Sequence, residues 1–293
     1  MLKKITKRAR PIPDLEIFKF VNKNVKSRYI YEKKLHTNFL TKYFQWLQKS
    51  SLNRLNGLNL FNKLSFVHGT SQAFDDFYST HRGRRFRVFK GEFKYHQIIW
   101  RENKIKWTYI EKESIKKNDA VIISLPFSDF GNEHPLMKQV INECDKLNVP
   151  VLIDLAYYSI ARNINFNLNR KCIKVLTFSL SKAFYGTERV RIGIRCKKSV
   201  DYDPADLFTE MGMLSRISVG LGLKLIKKYD TDYCQKKFRK KQLNICKKLD
   251  LTPSDCVIFG LGSKKEYKNF NRGSKWRRIC ISSILGNMRD INA

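Results

Sequence analysis

Three short stretches of the chain carry residue types that could do chemistry together. Asp154 closes the apolar run VPVLID, and Ser179, Ser181 and Lys182 close VLTFSLSK. Gly69, Thr70 and Ser71 stand between SFVH and the helix-like AFDDFY. In open α/β sheets, ligands gather at the carboxyl ends of the strands, so residues that terminate apolar runs are candidates for a site. A lysine beside a phosphate site can form an imine with an aldehyde, best when desolvation or nearby cations lower its pKa. A carboxylate against a pyridine nitrogen keeps that nitrogen protonated and makes the ring a better electron sink. The Gly-Thr-Ser turn suits a phosphate resting on a helix N-terminus, where hydroxyls, backbone N–H groups and an arginine complete the cradle.

The elements that must hold these residues read as an α/β domain. RFRVFKG (85–91) is short and alternating, as in a half-buried strand. DAVIISLP (119–126), VPVLIDLAY (149–157), KCIKVLTFSLSK (171–182) and RVRIGIRC (189–196) are continuous apolar runs, and PLMKQVINECDKLN (135–148) has helical periodicity. Buried strands alternating with helices predict a parallel or mixed sheet. Within 15–50, LHTNFLTKYFQWL places Leu35, Phe39, Leu40, Tyr43, Phe44 and Leu47 on one helical stripe, with His36 and Lys42 outside it. Beyond residue 200 the pattern predicts one helix over DPADLFTEMGMLSRISVGLGLKLIKKY, a very basic helix over CQKKFRKKQLNICKKLD, and strands at CVIFGLG and RRICISSIL.

Composition narrows the function classes. The chain has 293 residues, enough for a large domain with a smaller one, and 42% hydrophobic residues mark it as globular rather than disordered. No apolar stretch has the length of a membrane span, and the basic N-terminus is followed by no apolar core of a secretory signal, so a cytoplasmic location is expected. Seven cysteines without C-x-x-C spacing argue for scattered reduced thiols. His36, His68, His81, His96 and His134 lack metal-ligand spacing, so no metal site is expected, and the Asp75-Asp76 pair reads as a helix face. The formal net charge of +32 lies mainly at the two ends of the chain and attracts anions in general. No nucleic-acid-binding signature accompanies it, so solvated lysine faces are the plainer account and RNA or DNA binding the less favoured one.

These stretches resemble the fold type I pyridoxal-phosphate-dependent aminotransferases of class I/II, near the histidinol-phosphate aminotransferase group, over about residues 60–285. SLSKAFYGTERVRIG is similar to the family's Schiff-base stretch, which implies Lys182 as the cofactor-binding lysine, Ser179 as a phosphate ligand and Arg191 as the phosphate-binding arginine. The spacing is one residue long against the commonest form, which leaves Arg189 as a rival. VLIDLAYYSIA looks like the D-E-A-Y motif and implies Asp154 at the pyridinium nitrogen and Tyr157 at the ring 3′-oxygen. HGTSQAFDDF resembles the G-[ST]-x-x-A phosphate turn of Gly69, Thr70 and Ser71. KGEFKYHQ stands where the family has its ring-stacking aromatic, which implies Phe93 with Tyr95 in reserve. WRRICIS resembles the R-[IL]-x-[IL]-[SA] strand, so Arg278 would take the substrate's α-carboxylate.

The resemblance implies a mostly parallel seven-stranded sheet flanked by helices, with a small α+β C-terminal domain. The expected division is a basic helical segment over 1–50, a large cofactor-binding domain over 51–205, and C-terminal helices with the small domain over 206–293. It also implies pyridoxal 5′-phosphate, amino-acid and keto-acid substrates, and a homodimer. Departures accompany it. SLPFSDFG replaces N-P-N-N-P-T-G, keeping Pro126 and Gly131 but putting Ser128 where an asparagine would meet the 3′-oxygen, and Leu155 replaces a glutamate. The small domain is short. Transamination is therefore the leading expectation. Decarboxylation or lyase chemistry on the same cofactor, and a binding protein on a decayed enzyme fold, are its alternatives.

Overall fold

A computed structural model describes residues 4–198 and 201–286; the outermost residues of the two end segments, 1–3 and 287–293, lie outside the described residues. In chain order the strands are β1 (Arg54–Asn56), β2 (Lys63–His68), β3 (Arg85–Val88), β4 (Trp107–Tyr109), β5 (Asp119–Ser124), β6 (Val151–Asp154), β7 (Asn165–Asn167), β8 (Ile173–Ser179), β9 (Ile192–Lys197), β10 (Thr252–Pro253), β11 (Phe259–Gly262) and β12 (Arg277–Cys280). The helices are α1 (Leu15–Asn24), α2 (Leu35–Leu47), α3 (Thr70–Thr80), α4 (Tyr95–Glu102), α5 (Met137–Leu147), α6 (Thr187–Val190), α7 (Pro204–Glu210), α8 (Arg216–Lys228), α9 (Tyr233–Lys248) and α10 (Ser282–Leu285). Among the described residues no helix is long and apolar enough to cross a membrane.

Seven strands form the main sheet in the order β2-β9-β8-β6-β5-β3-β4. The pairs β8–β6, β6–β5, β5–β3 and β3–β4 are parallel, and β9 runs antiparallel to both β2 and β8. Every residue of β5 and β6 is buried, as expected for strands covered on both faces. β10, β11 and β12 form a separate antiparallel sheet, and β1 pairs with β7. Register decides which residues meet. Ser124 lies opposite Asp154, Asp154 opposite Thr177, Ser179 opposite Gly193, and His68 opposite Ile192. The ends of β2, β5, β6 and β8 therefore share one edge of the sheet with the start of β9.

Three sequence expectations change in detail. The single helix expected from about 203 to 229 is two, α7 and α8, because Gly212 takes a φ of +68° that stops helical propagation. RVRIGIRC is not strand throughout: α6 runs to Val190, Arg191 adopts a left-handed conformation, and the strand starts at Ile192. RRICISSIL is strand only to Cys280 and then turns into α10.

α7 begins with a capping box, the Asp203 carboxylate accepting from the Asp206 amide and the Asp206 carboxylate from the Asp203 amide, with Pro204 in the first turn. Both aspartates then serve a buried ion cluster on β9. Arg195 Nη2 lies 2.7 Å from Asp203 and 2.9 Å from Asp206, and Lys197 Nζ lies 2.6 Å and 2.7 Å from the same two carboxylates. Burial raises the Asp206 pKa, but hydrogen bonds from Lys197 and Ser65 and the charge of Arg195 outweigh it and hold the carboxyl below its ordinary range. The Asp206 contribution to stability is thus present above the unfolded carboxyl pKa and is lost as pH falls through the lower folded one. Asp206→Ala leaves two buried cations short of a partner and should cost about 3 kcal/mol in denaturant unfolding at neutral pH. The penalty should shrink as the pH of the titration is lowered.

Candidate active site

The shared sheet edge brings together most of the residues singled out in the sequence. Asp154, 6% exposed, ends β6. Its Oδ1 accepts the Ala156 amide at 3.0 Å, and Thr70 at the start of α3 also hydrogen-bonds to it. Burial first, and the nearby charge of Glu92 second, raise its pKa from an ordinary 3.8 to about 8, against weaker opposing pulls from Ala156, Lys182 and Thr70. Lys182 follows β8 by three residues and is mostly buried. Burial lowers the pKa of its ammonium; Cys280 and Glu188 oppose the shift, and the charges of Arg191 and Arg278 add to it.

Beside them lies a cradle suited to an anion. α3 opens at Gly69 with no side-chain cap, so its first-turn N–H groups point outward with the positive end of the helix dipole. Arg191 lies against that turn, donating from Nη2 to Ser71 Oγ at 2.6 Å and from Nε to the His68 carbonyl at 3.2 Å. A Cβ on Gly69 would meet the movable Arg191 guanidinium at 2.8 Å, and the φ of +73° at Gly69 is what calls for glycine here. Gly193 is equally constrained, since its Cβ would stand 2.8 Å from the Phe178 carbonyl and 3.2 Å from Gly69 Cα. Ser179 Oγ donates to Ser181 Oγ at 2.9 Å and lines the same edge. The rival Arg189 is exposed on α6, away from these contacts.

On the other side of Asp154 the small sheet closes in. Tyr157 is half-buried and packs edge-on against Phe259 at 5.5 Å. Burial raises its hydroxyl pKa, against the charges of Arg278 and Arg272. Arg278 is 3% exposed, stacks on Phe259 at 4.6 Å, and donates to the carbonyls of Ser128 and Lys7. Phe93 is 44% exposed on the loop after β3, where a large apolar ring has a free face, while its neighbour Tyr95 is bound to Asp75 through its hydroxyl. Ser128 is buried and turns its oxygens to Arg272.

Two side chains of this region were not legible in the sequence. Glu92 is 1% exposed and accepts from the Ser124 amide at 2.9 Å, from the Ser124 hydroxyl and from the Phe93 amide at 2.9 Å. Arg272 donates to Ser128 O at 3.0 Å and Glu92 O at 3.2 Å. A charged residue in a loop is ordinarily solvated, so neither stands out; only the charge on KGEF beside an aromatic, and a lone arginine in the turn-like NRGS, hint at them.

Comparison of the sequence with protein-family models and with curated proteins finds no match. Solved structures do resemble the chain. An aromatic aminotransferase from Pyrococcus horikoshii OT3 superposes with a TM-score of 0.67 at 12% identity, covering 94% of this chain and 90% of that one. Histidinol-phosphate aminotransferase from Clostridium acetobutylicum gives 0.62 at 13%, covering 97% and 94%. A PLP-bound C-S lyase from Staphylococcus hominis gives 0.67 at 11%, covering 94% and 82%. The fold is that of the fold type I aminotransferases. The mixed, mostly parallel seven-stranded sheet matches that fold, and an antiparallel small sheet is added to it.

Burial raises the Asp154 pKa to about 8 in the folded protein, against an ordinary 3.8. The native state then binds more protons than the unfolded one across that window, and stability falls as pH rises through it. Asp154→Asn removes the titration and should flatten this part of the thermal-unfolding profile between about pH 5 and 8. An unchanged slope would locate the proton elsewhere.

Proposed function

We propose that the protein is a pyridoxal-phosphate-dependent aminotransferase, moving an amino group between an amino acid and a keto acid. The observation that carries this reading is the setting of Lys182: a mostly buried amine of lowered pKa, set between an uncapped helix N-terminus with its arginine and a buried carboxyl. The residues present fit the cofactor. The cradle at Gly69 is kept open by the lack of a Cβ, and Asp154 is a desolvated acid whose charge would be stabilised by an N–H cation.

When bound, pyridoxal phosphate supplies an aldehyde that links to amines and a protonated ring that draws electrons. The chain's own residues account for the rest. Thr70, Ser71, Ser179, Arg191 and the first-turn amides of α3 would hold the phosphate. Asp154 would accept the ring N–H, Tyr157 and Ser128 would serve the ring oxygen, and Phe93 would offer its exposed side for stacking. Lys182 Nζ, depressed toward its neutral form, takes the proton from the substrate Cα and gives it back. Arg278 orients the α-carboxylate with a planar fork of donors. Where Lys182 returns the proton distinguishes transamination from other outcomes, and the same fold carries a C-S lyase. We expect a homodimer acting on small amino and keto acids in the cytoplasm.

Adding pyridoxal phosphate to the purified protein should produce a visible absorbance band, and borohydride should fix the cofactor to the peptide carrying Lys182, seen by mass spectrometry. Lys182→Ala should show neither; a retained band would overturn the assignment. With an amino donor and a keto-acid acceptor, Arg278→Gln should raise KM roughly ten- to a hundredfold, the loss of a charge-assisted hydrogen-bond pair.

A further inference from the structure

The turns that lead into the parallel strands form a surface at the opposite end of the main sheet from Lys182. β3, β4, β5 and β8 begin at Arg85, Trp107, Asp119 and Ile173, and the residues just before them are rich in cations. Between the turn before β3 and the turn before β4 lies a groove of about 710 Å³. Arg82, Arg84, Lys104 and Lys106 line it, with Ile99 and Ile105 on its apolar side. Both turns are set by left-handed residues, Gly83 at a φ of +88° and Lys104 at +53°. The cations continue past the groove. Arg84 Nη1 donates to the Lys117 carbonyl at 3.1 Å, which puts the turn before β5 beside it. Lys174 is the extra residue of a bulge, since Val151 pairs with Ile173 and Leu152 with Val175, and a bulge re-aims a side chain. Burial first, and then the charges of Arg84 and Lys174, lower the His81 pKa to about 4, so both cations stand near the end of α3.

Charge is not balanced at this end. The carboxylates nearby are committed: Asp119 to Arg85 and Arg87, Glu113 to Arg85 and Lys116, Glu102 to Arg101, and Asp76 to Arg195. Asp75, the acid on the groove wall, takes the Tyr95 hydroxyl. Among the described residues, none of Arg82, Arg84, Lys104, Lys106, Lys117 and Lys174 forms an ion pair. Neighbouring strands lie about 4.8 Å apart, so the row from β4 through β3, β5 and β6 to β8 runs over roughly 19 Å. α9 is as basic, but its lysines stand on a convex helix face, and Lys236 and Lys237 are paired with Asp230, Asp14 and Glu16.

We propose that this end of the sheet is a binding surface for single-stranded nucleic acid, with phosphates along the row of cations and a base in the groove between Arg82 and Lys104. Regularly spaced backbone charges suit a row of unpaired cations, and each contact releases counterions. A groove with an apolar side and guanidinium groups on its rim suits the flat face of a base. Two features favour this occupant. The row extends beyond the reach of one small anion, and the apolar side chains lie in a recess, whereas a bilayer surface would take ones that protrude. The surface lies at the far ends of the strands from Asp154 and Lys182 and does not depend on the aminotransferase reading.

Fluorescence anisotropy of a labelled oligodeoxythymidylate of roughly twenty nucleotides, titrated with the full-length protein, tests it. Binding should weaken steeply with salt, by about 0.7 in the log–log slope for each phosphate contacted. Arg82→Glu with Lys104→Glu should weaken binding about tenfold or more and take about 1.4 off that slope. Lys240→Glu with Lys247→Glu, the same change of charge at exposed positions of α9, should cost less than about threefold. Acetylation of the natural protein, mapped by mass spectrometry, gives a readout free of variants. Bound oligonucleotide should shield Lys104, Lys106 and Lys117 and leave Lys240 and Lys247 reactive. No binding at about 0.1 M salt, equal loss in the two double variants, or shielding of α9 instead overturns the proposal. So does polyglutamate, or a phosphatidylglycerol vesicle, that binds as tightly charge for charge, since a surface reading charge alone has no use for the groove. Cofactor uptake enters none of these measurements, so their failure leaves the aminotransferase reading standing.

Discussion

A carboxylate removed from water at the end of a parallel strand sets the terms for everything around it. Taking a charge out of solvent costs several kcal/mol unless a partner or a proton compensates. At Asp154 burial favours the protonated acid, and Glu92 nearby reinforces that choice because two close carboxyls resist ionising together. Such a group is at ease with a cation that arrives carrying its own N–H. The same cost operates in the opposite sense on Lys182, which burial pushes toward its neutral, nucleophilic form. One physical effect, desolvation at a sheet edge, thus tunes an acid and an amine toward each other's needs.

That edge exists because of register. Parallel pairing of β5, β6 and β8 brings Ser124, Asp154 and Thr177 into line, and antiparallel β9 returns Gly193 beside Ser179. Gly193 lies so close to the Phe178 carbonyl and to Gly69 that it has no room for a side chain, which lets the first turn of α3 sit against the end of β8. The buried cluster of Arg195, Lys197, Asp203 and Asp206 then ties β9 to α7. The antiparallel return of β9, which sets Arg191 against the Gly69 turn, is therefore pinned by the charges of this cluster.

The small sheet supplies the other wall. Gln242, fully buried, donates to the carbonyls of Ser254, Cys256 and Phe259, and Gln235 does the same for Ile160 and Asp255. These amides from α9 satisfy carbonyls in and around the connections that lead into β11, as buried carbonyls demand. They hold Phe259 where it carries both Tyr157 and Arg278. The basic face of α9 is thus the outer side of a helix whose inner side positions the site.

Local pattern by itself located strands within 119–126, 149–157 and 171–182, helices within 135–148 and 234–250, a helix-like turn at 73–78, and the order in which Gly69, Asp154, Ser179 and Lys182 follow one another. Burial on both faces of a strand writes an unbroken apolar run, and such a run ends where the chain meets a polar site, so these features are written in consecutive residues. Tertiary structure decided what no window of sequence contains. It placed Arg191 rather than Arg189 against the Gly69 turn, through a left-handed residue that changes the direction of the chain before β9. It put Glu92, on the loop after β3, against Ser124 at the end of β5, segments that are neighbours only by sheet order. It set Arg272 beside Arg278 on one carbonyl from a third segment. A charge in a loop looks solvated in sequence whether or not it is; only the packing of distant segments removes the water, and with it changes what the charge can do.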